Sequence, residues 1–554
     1  MFEPEKPRGM KRGKMRNYET DVLIIGGGLA GLSAALSAAR NGCRAMIVCK
    51  SLAGHSGNTI VAGAGISVYN PENGQYDTRR LYEDDLLRSG AGINDQTMVR
   101  RTLEASDSVL SFLEENGVQL RYKDGRLMVN KPGGHSSPRY YSSVFSDLSF
   151  QTRGLSLSVP MDSAVQETNV ERLNFTSVLK LIRTDGKVTG CVCIDRKNGR
   201  QFCISAGSVI IAAGGGASLF VKTNNTTDVT CDSYRLALEA GAVLRDMEFV
   251  QFYPCVLFEP VRAQIGSSLF ADGAVLRNKK GEEFMHQYSS AGNKATRDVM
   301  ALAVQSEIAA GRGVGNCVYV DCARIDEEVL LGKHKEFHDL LMRCRIDIRK
   351  DMLLVSPASH FYLGGICVDT DYSTEVPGLF ACGEAVGGLH GANRLPGTAL
   401  METVVSGRIA GRKAAAYAGN KGKTAPVAPP ELGKTVSGIN WKQKIRELRA
   451  EAWKEVSIIR DDASIERFIN YLNEQQDAVE KAEREAVDTL RAYEYRSYYM
   501  TAKMLALCAG KRKESRGAHY RSDYPHQNEA YTGNYLCRLG RNGKIEISFE
   551  ASHE

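Results

Sequence analysis

Among 554 residues there is no Cys-x-x-Cys, so the ligand spacing of a zinc site or an iron–sulfur cluster is missing. The fourteen cysteines are scattered, Cys191 and Cys193 being the closest pair. Thiols in this number without a pairing pattern fit a reducing compartment, and most read as small buried hydrophobes. No apolar run reaches the roughly 18 residues that could cross a bilayer, and the N-terminus has neither an apolar export segment nor a twin-arginine pair. The sequence therefore predicts a cytoplasmic chain with no direct membrane insertion. The formal charge of +6 is small for this size, and much of it sits in Lys6, Arg8, Lys11, Arg12, Lys14 and Arg16. That distribution gives no footprint for nucleic acid.

What is present is room and glycine. The length implies two or three domains with ample interior, and 54 glycines imply many tight backbone turns. DVLIIGGGLAGLSAALSAARNGCRAMIVCKS (21–51) reads as strand, glycine turn, alanine-rich helix and strand, a βαβ unit. Gly26, Gly28 and Gly31 form G-x-G-x-x-G at the strand–helix junction. There the first two allow a sharp turn and close approach to a pyrophosphate, the third lets the helix pack, and the helix N-terminus supplies N–H donors. The acidic residue that usually ends the second strand is absent, because Ile47-Val48 runs into Cys49-Lys50-Ser51. Only one such fingerprint occurs, which favours a single tightly held dinucleotide, FAD.

A second apolar strand, SVIIAAGGG (208–216), also ends in glycines, Ala213 running into Gly214. The pattern becomes irregular around 245–350, where KKGEEFM and NKATRDVMALAVQSEIAAGRG predict a hairpin and a helix in an inserted cap. TAPVAPPELGKT (424–435) reads as a linker, and 440–508 has helical spacing with many charges. The expected architecture is α/β: a Rossmann-like FAD-binding domain (17–244 and 353–422), an inserted α+β capping domain (245–352), a C-terminal helical domain (436–510) and a polar tail (511–554).

Together DVLIIGGGLAGLSAA, CKS, GNTIVAGAGI (57–66), TRDV (296–299), SHFYLGGI (359–366), VPGLFACGE (376–384), GANRL (391–395) and ESRGAHYRSDYP (514–525) resemble the flavoprotein subunit of the succinate dehydrogenase and fumarate reductase family, which includes L-aspartate oxidase. The resemblance spans essentially the whole chain. It implies that Lys50, Ser51, Thr59, Gly65, Ala213 and Gly214 contact FAD, that Glu384 binds its second ribose, and that Asp232 takes the place of the family's Gly-Asp-Gly aspartate. Thr398, Ala399 and Leu400 would begin a helix facing the pyrimidine end of the flavin, where a helix N-terminus stabilises negative charge. Asn58 stands where the family's histidyl linkage forms, so FAD is expected to be non-covalent. That lowers the flavin potential and suits reduction. His55, three residues earlier, reads as a loop histidine.

For chemistry, the resemblance makes Arg297 the proton donor to the substrate carbon, and His360 and Arg394 a clamp on one carboxylate, a charge-assisted geometry. Two departures stand out. Q-F-H-P-T becomes Gln251-Phe252-Tyr253-Pro254-Cys255, and the glutamate and arginine of T-E-x-x-R-G-E-G become Ser267 and Phe270. A pocket bordered by Tyr253, Ser267 and Phe270 is expected to be larger, less cationic and more apolar. Urocanate-reducing relatives share that tyrosine, which points to a 2-enoate with one carboxylate and a flat or apolar tail. The expected activity is hydride transfer between FAD and a C=C bond, in the reductive direction. The alternatives are chemistry like that of adenylylsulfate reductase or L-aspartate oxidase, or a non-catalytic electron relay. An iron–sulfur partner subunit is the expected electron source and would hold the chain peripherally at the inner face of a membrane.

Overall fold

The computed structural model describes residues 18–73, 77–145, 148–419 and 435–551. The basic cluster Lys6 to Arg16 and all but the last residue of the 424–435 stretch lie outside them. Strand β1 (Tyr18–Ile25) leads through Gly26-Gly27-Gly28 into helix α1 (Leu29–Arg40) and then β2 (Ala45–Val48). Later strands β3 (Glu171–Leu173), β4 (Thr176–Thr184), β5 (Lys187–Asp195) and β6 (Gln201–Ile211) complete a sheet ordered β3-β2-β1-β6-β5-β4, with Leu379–Ala381 added to β6. β1 is parallel to both β2 and β6. Such strands are covered on both faces, which is why VLII and SVII read as unbroken apolar runs.

Helix α2 (Asp232–Glu239) follows this sheet, and the chain then enters the cap. The cap sheet consists of β7 (Val250–Leu257), β8 (Ala263–Gln264), β9 (Val275–Arg277), β10 (Val318–Asp321) and β11 (Leu353–Tyr362), ordered β8-β7-β11-β10-β9. β11 lies beyond the expected cap boundary at 352. It belongs to the cap because its partners are β7 and β10. Helix α3 (Arg297–Ala309) packs on this sheet, and Asn278 to Glu282 close the expected hairpin. Pro254 lies inside β7 without breaking it. The register slips between Tyr253 and Val256, so the missing N–H falls where no ladder bond to β11 is due.

Helix α4 (Thr398–Gly419) lies directly against α1. A Cβ on Gly411 would stand 2.2 Å from the Ala34 carbonyl oxygen, so the small residues of α4 set the interhelical distance. The helical domain contains α5 (Trp441–Val456), α6 (Asp462–Glu474), α7 (Gln476–Glu483) and α8 (Thr489–Lys511). The 511–551 stretch is not a tail. Gly533–Leu539 and Ile545–Ala551 form a hairpin that pairs with Leu244–Arg245, and Arg512, Glu514, His519 and Arg521 are fully buried. Arg512 pairs with Glu248 and Glu514, Arg521 with Asp462 and Asp523, and His519 is hydrogen-bonded to Arg460 and to the Arg512 carbonyl. Among the described residues no helix is long and apolar enough to cross a membrane.

Candidate active site

One large cavity, about 1160 Å³, runs from the glycine turn after β1 to the cap. At its first end the turn is as tight as the sequence implies. Gly26 has φ +119°, and a Cβ there would meet the Ala212 carbonyl oxygen at 2.2 Å. Gly31 is not on the cavity wall. A Cβ there would lie 2.0 Å from the Gly26 oxygen, so α1 packs this closely only on glycine. Thr59 Oγ accepts the Leu29 N–H at 3.1 Å, fixing the loop 57–66 to the start of α1. Gly28, Lys50, Gly65, Ala213 and Gly214 line the same wall, as do Ala399 and Leu400 from the start of α4. Thr398 instead turns to the Tyr82 hydroxyl at 3.1 Å. Ser51 is also off the wall. Its carbonyl accepts the Phe175 N–H.

Lys50, standing where an acid usually ends the second strand, pairs with Asp232 at 2.6 Å. Burial alone would raise the Asp232 carboxyl, but the Lys50 ammonium and the Arg235 guanidinium outweigh it and hold it below the usual range. Glu384 is different. Its carboxylate accepts the Tyr362 N–H at 3.1 Å and the Asn58 amide at 3.2 Å but has no cation in hydrogen-bond contact among the described residues, and burial pushes it up to about 7. A buried carboxyl left with spare acceptor capacity suits hydroxyl donors such as a ribose diol. With the strained glycine turn and the N-terminus of α1 beside it, this donor and acceptor set fits FAD. Asn58 is held by Asn225 at 2.8 Å and by the Thr226 N–H, so its amide braces the loop. His55 is an exposed loop residue.

At the cap end Tyr253 is only 5% exposed, yet it lines the cavity. Its ring is the floor under two of the expected catalytic groups. The Arg297 guanidinium lies 4.8 Å over it, and the His360 ring meets it edge-on at 5.2 Å. Arg297 is the first residue of α3, His360 lies near the end of β11, and Arg394 comes from the loop before α4. Arg394 donates to Gln251 Oε1 at 2.9 Å and to the Leu395 carbonyl, stands 4.6 Å over Phe361, and has a buried Nε without a partner. Burial, then the Arg297 charge, pushes Arg394 down to about 9. His360 is held well below the ordinary imidazole range by burial, Arg394 and Arg297, and Asn224 Oδ1 fixes its Nδ1 at 3.1 Å.

Two expectations about the cap wall are corrected here. Ser267 lines the cavity, but Phe270 does not. It packs into the cap core with Leu269, Ala274 and Leu276, because the short helix Ser267–Ala271 turns its ring inward. Nor is the wall poor in cations. Tyr140 and Arg153, from a stretch without any motif, line the same cavity, and Tyr140 is within electrostatic range of Arg153, Arg297, Tyr253 and Arg394. Burial lowers the Arg153 guanidinium and raises the Tyr140 hydroxyl. Among the described residues, Arg153, Arg297 and Arg394 form no ion pair with a carboxylate. No spacing in the sequence links Tyr140 or Arg153 to the catalytic motifs, since only the fold brings them there.

Comparison with known proteins agrees with this geometry. Residues 21–400 match the FAD binding domain family, and 445–553 match the fumarate reductase flavoprotein C-terminal family. An uncharacterized FAD-dependent oxidoreductase of Methanocaldococcus jannaschii is 33% identical, over 94% of this chain and 96% of that protein. A fumarate reductase (CoM/CoB) subunit of Methanothermobacter marburgensis is 31% identical, over 96% of this chain and 98% of that protein. The solved quinol fumarate reductase flavoprotein of E. coli superposes with a TM-score of 0.87 at 26% identity, covering 97% of each chain. The chain belongs to the FAD-dependent fumarate reductase and succinate dehydrogenase flavoprotein family, flavoenzymes that act on CH–CH bonds.

Proposed function

We propose that this chain reduces the C=C bond of an α,β-unsaturated carboxylate with FAD held non-covalently. The observation that carries this reading is the convergence of Arg297, His360 and Arg394 on one cavity wall, without carboxylate partners among the described residues, beside the dinucleotide cradle. Arg394 and His360 hold the substrate carboxylate, the unpartnered Arg394 Nε being one donor available for it. Their charge-assisted bonds draw electron density from the adjacent alkene. The cradle residues would hold FAD, which in its two-electron-reduced form would supply the hydride for the β-carbon. Arg297 gives the proton to the α-carbon, its guanidinium steadied over the Tyr253 ring. Ser267 lines the cavity where the resemblance places a relay glutamate, so in this reading no carboxylate at that position resupplies the proton.

The non-covalent assignment rests on Asn58, whose amide is spent on Asn225, Glu384 and Thr226 and cannot form the histidyl bond. Because the sequence has no cysteine cluster, a separate iron–sulfur subunit delivers the electrons in this reading. The test is an anaerobic assay of the holoenzyme with reduced viologen against fumarate, urocanate, cinnamate and crotonate. Dye oxidation with at least one of them, giving the saturated acid, is expected. No turnover on any enoate, with adenylylsulfate active instead, overturns the proposal.

A further inference from the structure

Arg153 is a cation with a prepared place and no anion in it. Its main chain is pinned on both sides. The Arg153 carbonyl accepts from the Ser156 N–H at 3.1 Å and the Ser156 hydroxyl at 2.6 Å. The next residue, Gly154, donates to the Ile60 carbonyl at 3.2 Å and sits so close to the flavin-side loop that a Cβ would lie 1.9 Å from the Thr59 oxygen. The guanidinium is stacked 4.1 Å over Phe150 and gives one N–H, from Nη1, to the Phe150 carbonyl at 3.3 Å. Glu336 is in electrostatic range, but it pairs with Arg121 at 3.9 Å.

Tyr140 is fixed beside it. A Cβ on Gly65 would stand 1.8 Å from the phenol ring carbon, so the glycine at 65 makes room for this ring. The Tyr140 hydroxyl and Arg153 Nη2 both flank Gly63, at 3.5 and 3.7 Å from where its Cβ would be. They are thus two neighbouring hydrogen-bond donors on one wall of the substrate cavity. On the cap wall the ring of Tyr253 is already taken up by Arg297 and His360. Arg297 and Arg394 repel each other in this partly desolvated space, and Arg153 adds a third guanidinium to the lining of the same cavity, an arrangement suited to a ligand with more than one negative charge.

We propose that Arg153, with the Tyr140 hydroxyl, anchors a second anionic group of the substrate, on a wall separate from the Arg394 and His360 carboxylate site. Arg153 is then a specificity-determining residue, and the preferred ligand is a dianion, not a carboxylate with an apolar tail. The inference rests on the ene-reductase reading for its substrate, but the site itself can be tested without turnover.

Oxidised holoenzyme is titrated with succinate, glutarate and adipate, and with butyrate as the monoanion, following the flavin absorption change. At least one dianion is expected to bind more tightly than butyrate by about tenfold or more, the scale of one added hydrogen bond between charged groups. Arg153→Gln should remove most of that preference, and Arg153→Lys should restore part of it. Tyr140→Phe, which keeps the ring beside Gly65, should reduce it by a smaller factor. Bound FAD and melting temperature are measured on each variant, so that a folding defect is recognised and the Tyr140→Phe and Arg153→Lys results decide. Equal affinity for all four acids, or a dianion preference that persists in Arg153→Gln, overturns the proposal. If the acids bind as expected but no enoate is reduced, the anchor stands and the ene-reductase reading fails.

Discussion

Arg512 and Arg521, in the segment that follows the last helix, are fully buried, and Arg394 at the cavity is only 6% exposed. Their surroundings are opposite. Arg512 donates to Glu248 at 2.6 Å, to Glu514 at 3.0 Å and to the carbonyls of Tyr531 and Gly533. Arg521 holds Asp462 at 2.6 Å and Asp523 at 2.7 Å. Arg394 has only neutral acceptors and a bare Nε, and Arg153 has one carbonyl. A guanidinium presents five donors in a fixed fork, so one saturated by carboxylates is a structural tie, while one left bare in a cavity is poised for an anion. The two sets look alike as residues in a sequence. Only their partners separate them.

The sharpest way to break that comparison is to substitute one member of each set. Arg297→Lys should lower the rate of enoate reduction by about 10² to 10⁴-fold, the scale of a positioned general acid, while FAD content and melting temperature are retained. Single-turnover oxidation of the reduced holoenzyme measures it, and a comparable rate in the variant would remove Arg297 from the chemistry. Arg512→Met should do the reverse. It strands Glu248 in the interior, while Glu514 keeps Arg516, and breaking a buried pair on one side costs about 3–5 kcal/mol, visible as a lower denaturation midpoint. An unchanged midpoint would contradict the structural role.

The smallest expected effect concerns the buried carboxyl at the cofactor end. Burial holds Glu384 up to about 7. Ribose hydroxyls donate best to the ionised carboxylate, so FAD binding lowers this pKa and releases a proton. The sign follows: affinity rises with pH up to about 7 and levels off above it. Flavin fluorescence on dilution should show this slope, at most tenfold per pH unit, and Glu384→Gln should flatten it.

Legibility follows the range of the interactions. The βαβ unit, the glycine turn and the cavity positions of Arg297, His360 and Arg394 are legible because each motif is local and its residue types are demanded by backbone geometry. Phe270 is not, because a five-residue helix has too little periodicity to say which way a ring points. The charged 511–554 stretch reads as a tail, since composition cannot report that Glu248 and Asp462 from elsewhere neutralise its arginines. Pro254 looks out of place in a strand, and a register slip accommodates it.

By itself, then, the sequence determined the family, the dinucleotide cradle and one half of the proposed substrate clamp, all of which depend on residues adjacent along the chain or in fixed motifs. Only the tertiary structure brings the proposed other half to the cavity. Arg153 reaches the cavity because Gly154 packs on the Thr59 carbonyl, and Tyr140 because Gly65 leaves space for its ring, contacts made across distant segments. A cation's meaning depends on whether an anion stands beside it, and that neighbour is fixed only when the chain has folded.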